Sequence, residues 1–327
     1  MVVTFLITTA VYYSGKYTGV TDHQIINGQV TNKSRVHDDY IETYECHCKM
    51  RTRKDGTRYK DCDTCRRKHY TVDWTVATTI GIFRIDRVDS LSSAVYSLSD
   101  PSDFIAALPG DPVSKKVGYT NWILAAPDSI DAVYSSARFD GQIPAYPSNI
   151  YGRYKLDRLV NNGVPITDAA LWNRDISNML RTLGPEKQAN VVVVLTKNGN
   201  MQYGDALVAD WKGGKKNDII VVIGTPEYPK ISWVKVQAWT DKEMFKVRLR
   251  DDIMALNTLS REGVIKMIDA GTRELYVRKP MKDFEHYADT LDPPNWVIWT
   301  ALLFSFLTSS GMLYLSYKHD FNSIFKN

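Results

Sequence analysis

NVVVVLTKNGNMQYGDALVADWKGGKKNDIIVVIG, residues 190–224, decides how the C-terminal half of this chain is built. Its ends, 191–195 and 219–223, are unbroken runs of Val, Ile and Leu, the signature of strands covered on both faces. Between them, residues 203–211 read as a short helix and Gly213-Gly214 as its exit. A strand, a helix and a strand in so short a span form a crossover unit, so the two strands are expected to be parallel.

Reading outward toward the N-terminus, Thr167 is placed to cap a helix running to Leu183. Ala170, Leu171, Ile176, Met179, Leu180 and Leu183 supply its apolar positions, and Gly184-Pro185 is expected to stop it. On the other side, a loop holding Pro226 and Pro229 leads to an alternating segment, 233–239, that predicts an added antiparallel strand. Thr240 and Glu243 have the spacing of a capping box. Phe245, Leu249, Ile253 and Leu256 recur at helical spacing, and a further helix is expected from Ser260 to Gly271. Residues 151–290 therefore read as an α/β layered domain with a small mixed sheet.

Residues 20–150 have another grammar. HQIINGQV, DYIETYEC and HYTVDWTVATTIGIFRIDRV are rich in β-branched and aromatic residues with partial alternation, which predicts a mostly-β domain. Six prolines between 101 and 147 break residues 90–150 into loops and short elements, and 140–147 is the expected boundary between domains. The fold class is thus α+β / α/β, with a cysteine-stapled hairpin in the N-terminal domain.

Residues 296–317 contain no charge in a chain that is 24% charged. As a helix they reach roughly 33 Å, enough to cross a hydrocarbon core. Trp296 and Trp299 at one end, Tyr314 and Tyr317 at the other, suit the two membrane–water boundaries. Pro293-Pro294 stops any helix before this run, and a short tail, 318–327, follows it. The reading is a single-pass C-terminal transmembrane helix in contact with a lipid bilayer. At the other end, residues 1–15 hold a shorter apolar run, VVTFLITTAVYY, which reads as a short anchor, a signal segment or a buried strand.

All four cysteines fall between 46 and 65, as Cys46-x-Cys48 and Cys62-x-x-Cys65. Four thiolates on a hairpin can close a tetrahedral shell around structural zinc, as in a zinc ribbon, with His47 and His69 as substitute ligands. The zinc reading is preferred from the spacing. Two disulfides crossing between the paired strands are the alternative, and a redox pair is a third. Around the cysteines stand Arg51, Arg53, Lys54, Arg58, Arg66, Arg67 and Lys68, a solvated loop or a site for anionic lipid headgroups. The net charge of +4 is too small to imply nucleic acid.

From Trp172 to Gly271 the pattern resembles the TPM domain. The resemblance is carried by NVVVVLT at 190–196, by Tyr203, Ala206, Trp211 and Gly213, and by GKKNDIIVVIG at 214–224. It implies an extracytoplasmic α/β module ahead of a C-terminal membrane helix. It also implies a metal-dependent phosphatase site. Independently of the resemblance, Asp205, Asp218 and Asp241 among the nearby acids could supply oxygen ligands for calcium or magnesium. The chain departs from that pattern at Asp218, where the family has Gly, and at Gln237-Ala238-Trp239, where it has a Gly-rich turn. The first domain is similar to the N-terminal part of uncharacterised membrane proteins of large tailed bacteriophages. There TD-x-x-I-x-NG-x-V, a cysteine-rich insert and an FRIDRVD-like strand stand together, as at 21–30, 46–65 and 83–89 here. The expected function is a membrane-anchored, non-enzymatic binding or assembly protein with an unknown protein partner. A TPM-like phosphatase is the alternative.

Overall fold

The computed structural model describes residues 2–85, 100–125, 139–151, 155–291 and 293–319. Its architecture is α+β, with a strand-rich N-terminal part, a C-terminal mixed sheet flanked by helices, and one apolar helix at the end. Helix α1 (Val2–Lys16) takes up the first apolar run, so its β-branched residues do not make a strand. One 3₁₀ turn, Tyr17–Val20, then hands the chain to β1 (Thr21–Thr52).

Strand β1 pairs antiparallel with β2 (Arg58–Thr78), which pairs with β3 (Gly81–Ile85). After helix α2 (Ser102–Ala106), strand β4 (Pro112–Thr120) returns to the other edge of β1, giving the order β3-β2-β1-β4. The four-stranded part is short. Strand β4 pairs only with residues 21–29 of β1, and β3 only with residues 74–78 of β2. Beyond the Arg35–Trp74 pair, β1 and β2 continue alone to a turn at 53–57. Residues 36–52 of β1 thus form one side of a two-stranded ribbon roughly 55 Å long at ordinary strand rise. At its base Trp74, Val76 and Val30 are buried with Phe104, Ile85 and Val113, and the Trp74 indole N–H donates to Asp100 at 2.9 Å.

The second sheet follows the minor strands β5 (Ile150–Tyr151) and β6 (Lys155–Leu156). Strand β7 (Leu159–Asn162), helix α3 (Ala169–Lys187), strand β8 (Asn190–Thr196), helix α4 (Gln202–Asp210), strand β9 (Asp218–Gly224) and strand β10 (Trp233–Ala238) build the order β10-β9-β8-β7. Strands β7, β8 and β9 are parallel and β10 is antiparallel, as the crossover pattern predicts. Both faces are covered. Val191, Val193 and Leu195 point to α3, α5 (Met244–Met254) and α6 (Arg261–Leu275). Val192 and Val194 point to α4, where Tyr203, Leu207 and Trp211 close the layer. Phe139, Ile143 and Tyr146 join that second layer, so the stretch expected to separate the domains is packed into the C-terminal one.

Several local expectations differ from the structure. Helix α3 runs through Pro185 to Lys187 and ends on Gln188 at φ 53°. A proline removes one N–H, but its fixed φ suits a helix, and burial of Leu183 and Gly184 holds the last turn. Thr240 does not cap α5. Its hydroxyl donates to the Val277 carbonyl and accepts from the Lys242 N–H, which delays the helix to Met244. Ser260 does cap α6, accepting from the Gly263 N–H at 3.2 Å, but the helix passes Gly271 and ends at Leu275. Gly213-Gly214 is a turn, yet a buried one. Both residues have φ near +75°, and a Cβ there would strike the Trp239 ring or Ile220.

The two sheets meet where α3 crosses β1. A Cβ on Gly184 would lie 2.6 Å from the Asn27 Cβ and 2.8 Å from its carbonyl oxygen. Ala at 184 would gain helix propensity but must push α3 off the β1 backbone, so Gly184→Ala is expected to cost about 1–2 kcal/mol net. Urea denaturation of the variant measures this directly, and an unchanged midpoint would refute the close approach.

Helix α7 (Asn295–His319) closes the chain. Among the described residues it is the one helix long and apolar enough to cross a membrane, and only 11% of its apolar window is buried. Its start is the exception. Val297 and Ala301 are buried, and Val297 fits against Gly15 at the end of α1. Val20 and Leu291 are buried beside Trp122, Leu124 and Tyr287, so β1 begins next to the root of α7.

Candidate functional site

The cysteine ribbon stands clear of the body. From 41 to 60 every side chain is exposed except half-buried Cys46. The four sulfurs form two bonds, Cys46–Cys65 and Cys48–Cys62, so each links one strand to the other. The cause is a bulge. The register runs regularly to the Cys46–Asp63 pair, then resumes at Lys49–Asp61, with His47 at φ 49°. In a regular strand Cys46 and Cys48 would share a face. The inserted residue turns them apart, so each face of the ribbon carries one bridge. The arrangement is therefore two separate pairs rather than one four-sulfur shell around zinc. Each pair has an added ligand type close by, His47 with Cys46 and Cys65, Glu45 with Cys48 and Cys62, all within 4.8 Å. Sulfurs joined in disulfides are not thiolate ligands, so zinc can enter only if the bridges open.

The bulge also sorts the charges. Register places Glu42, Tyr44, Lys49, Arg51, Tyr59, Asp61, Asp63 and Arg67 on one face. That face is balanced and internally paired. Arg51 meets Asp61 at 2.7 Å and the Arg67 guanidinium lies 5.0 Å over Tyr44. Between residues 41 and 68, the opposite face carries Arg58, Lys60, Arg66 and Lys68 against a single acid, Glu45, with Ile41 and Met50 among them. Arg53 and Lys54 are in the turn, where Arg53 covers the Tyr59 ring at 5.1 Å. Of the basic residues singled out from the sequence, Arg58, Arg66 and Lys68 share a face, and Arg51 and Arg67 belong to the other.

The candidate acidic ligands are not brought together. Asp205 on α4 pairs with Lys235 at 2.5 Å, Asp241 is exposed after β10, and Asp218 is buried at the start of β9. Asp218 instead belongs to a polar junction between the two sheets. Its carboxylate accepts from the Asn190 amide at 2.9 Å, the Lys215 N–H at 2.7 Å and the Tyr146 hydroxyl at 2.8 Å. Burial pushes its pKa up, only partly offset by those donors. Asn190 in turn accepts from Asn27 of β1 at 3.1 Å. Asn27 takes the Ser114 hydroxyl at 2.9 Å and the buried Arg158 guanidinium.

Beside it the Lys215 ammonium donates to Asp22 at 2.6 Å, and Tyr119 and Asn121 donate to the same carboxylate. Burial would raise the Asp22 carboxyl, but these hydrogen bonds and the Lys215 charge hold it below its ordinary value. Tyr119 and Tyr146 are pushed well up by burial and by the nearby carboxylates, so both remain neutral hydroxyls. A groove of about 530 Å³ opens next to Lys215, lined also by Asp22, Asn121, Tyr146, Trp211 and Asp210. Each named group of the junction is committed to another, an arrangement suited to holding the two sheets in register. Sequence reasoning missed Asp22, Asn27, Ser114 and Arg158 here. For Asp22 and Asn27 the available signal was polar residues inside a stretch that otherwise read as strand; Ser114 and Arg158 lay outside any strand read from the sequence.

Compared with protein-family models, with curated proteins and with solved structures, the chain matches none.

Proposed function

We propose that this is a membrane-anchored, non-enzymatic binding or assembly protein, in which the α/β body is a mount and the cysteine ribbon is the contact element. The observation that carries the reading is the ribbon itself, exposed from 41 to 60 apart from half-buried Cys46, stapled twice and differently charged on its two faces. An isolated two-stranded hairpin is marginal in water, so an arm of this length and stapling is built to be presented. The junction supports the non-enzymatic part, because Asp218 and Lys215 are held by neighbours from both sheets. Helix α7 is read as the span, with its rings at the two boundaries. Disulfides persist outside reducing compartments, which supports an extracytoplasmic body.

Two measurements test this. Alkaline carbonate extraction should leave the full chain in the membrane pellet, and release into the supernatant would sink the anchor. The purified chain should not hydrolyse a generic phosphate ester with added calcium or magnesium. Turnover that disappears in Asp218→Ala would overturn the reading in favour of the TPM-like phosphatase.

A further inference from the structure

We propose that the ribbon face bearing Arg58, Lys60, Arg66 and Lys68 docks on an anionic lipid bilayer, with Ile41 and Met50 entering its interface. The inference rests on the reading of the ribbon as the contact element and names the partner of that element. Charge is the first argument. Between residues 41 and 68 the two faces of the ribbon differ, four cations against one acid on this side and an even balance on the other. A surface of lipid phosphates and carboxylates attracts such a stripe, with each cation near the surface contributing.

Apolar content is the second argument. Ile41 is 60% and Met50 66% exposed, and both point from the cationic face by the ribbon's register. Long aliphatic side chains between cations suit the boundary of headgroups and acyl chains. Nucleic acid fits less well. Base stacking needs open aromatic rings, yet the tyrosines between 41 and 68, Tyr44 and Tyr59, belong to the opposite face, each under a guanidinium. Geometry is the third argument. β1 starts beside the root of α7, whereas the cationic stripe lies toward the far end of a roughly 55 Å arm. The arm can therefore touch a membrane patch away from its own anchor, or a second membrane.

The test uses the full chain held in phosphatidylcholine nanodiscs and floated with vesicles. Vesicles rich in phosphatidylserine should carry the protein at low salt, and pure phosphatidylcholine vesicles should not. Retention should fall steeply toward physiological salt. Lys60→Glu/Arg66→Glu/Lys68→Glu should weaken binding on the order of a hundredfold. Lys49→Glu/Arg51→Glu/Arg67→Glu makes the same charge change on the other face and should cost less than about tenfold. Ile41→Ser/Met50→Ser should weaken binding with no change in charge. Equal losses from the two charge triples, salt-insensitive retention, binding to neutral vesicles or preferential binding of duplex DNA or RNA would each overturn the proposal. Those failures leave the wider reading standing, because that reading falls on carbonate extraction or phosphate-ester turnover instead.

Discussion

Reduction of the two disulfides is expected to free the ribbon tip while the body stays folded, and the two bridges should not contribute additively. A bridge closing a loop of about 15 residues stabilises by about 3 kcal/mol in the chain-entropy account. The sequence separations are 19 for Cys46–Cys65 and 14 for Cys48–Cys62, so either bond alone falls near that value. They are nested, however. Once Cys48–Cys62 is closed, the outer bond adds only the few residues between the two bridges, and loop entropy grows slowly with length. Cys46→Ser/Cys65→Ser or Cys48→Ser/Cys62→Ser should therefore cost roughly 1 kcal/mol each, and the fourfold variant, which also loses the remaining bridge, about 4 kcal/mol.

The loss should be local. Among the described side chains, no buried core residue lies between Val30 and Trp74, so the ribbon tip can open without disturbing the base. Amide exchange under reductant should accelerate across 41–68 and remain slow in β8 and β9. The same sample settles the chemistry of the cysteines. Mass spectrometry without reductant should find four protons missing, two for each bridge. Free thiols with about one zinc per chain, and unfolding by a chelator, would instead restore the metal reading preferred from sequence.

What was legible in the sequence was what depends on neighbours along the chain. The β-branched runs at 191–195 and 219–223 could only be covered strands, and the helix between them forced the parallel pairing. The uncharged run after Pro294 could only be one long helix. Misreadings arose where burial outweighed local preference, as at Pro185, kept helical by its packed last turn, and at Gly271, beside Leu249. The bulge at His47 was invisible, since nothing in CHC marks an inserted residue. Yet that residue decides which cysteines face together and which cations share a side. The junction was hidden for a different reason. Lys215 reaches Asp22 across 193 positions and Asn27 reaches Asn190 across 163, so neither pair has a spacing to read.

Asp218→Ala is expected to be among the most damaging single changes in the body, at about 3–5 kcal/mol. The carboxylate is the common acceptor for Asn190, the Lys215 N–H and Tyr146. Removing it strands three donors in or beside a buried site, and each unmade bond costs about 1–3 kcal/mol. The saving from no longer burying an ionisable group offsets part of the sum. Asp218→Asn keeps the shape and removes the charge, so it should cost less, about 1–2 kcal/mol.

The pH dependence separates this account from simple misfolding. Burial raises the folded pKa of Asp218 above its usual 3.8, so the folded state keeps this proton longer than the unfolded chain does. Stability from Asp218 is then fully present below the unfolded value and lost as pH rises through the raised folded value. Asp22 has the opposite sign. Its lowered pKa gives stability that is present above 3.8 and lost as pH falls through the folded value. Asp22 titrates in wild type and in Asp218→Asn alike, so its contribution cancels in their difference. Urea denaturation of the two proteins should show Asp218→Asn gaining on wild type as pH rises from 3.8 through the raised folded value. A constant difference would mean that Asp218 titrates as it does in water. The carboxylate would then not be the buried centre of the junction that joins β1 to β8 and β9.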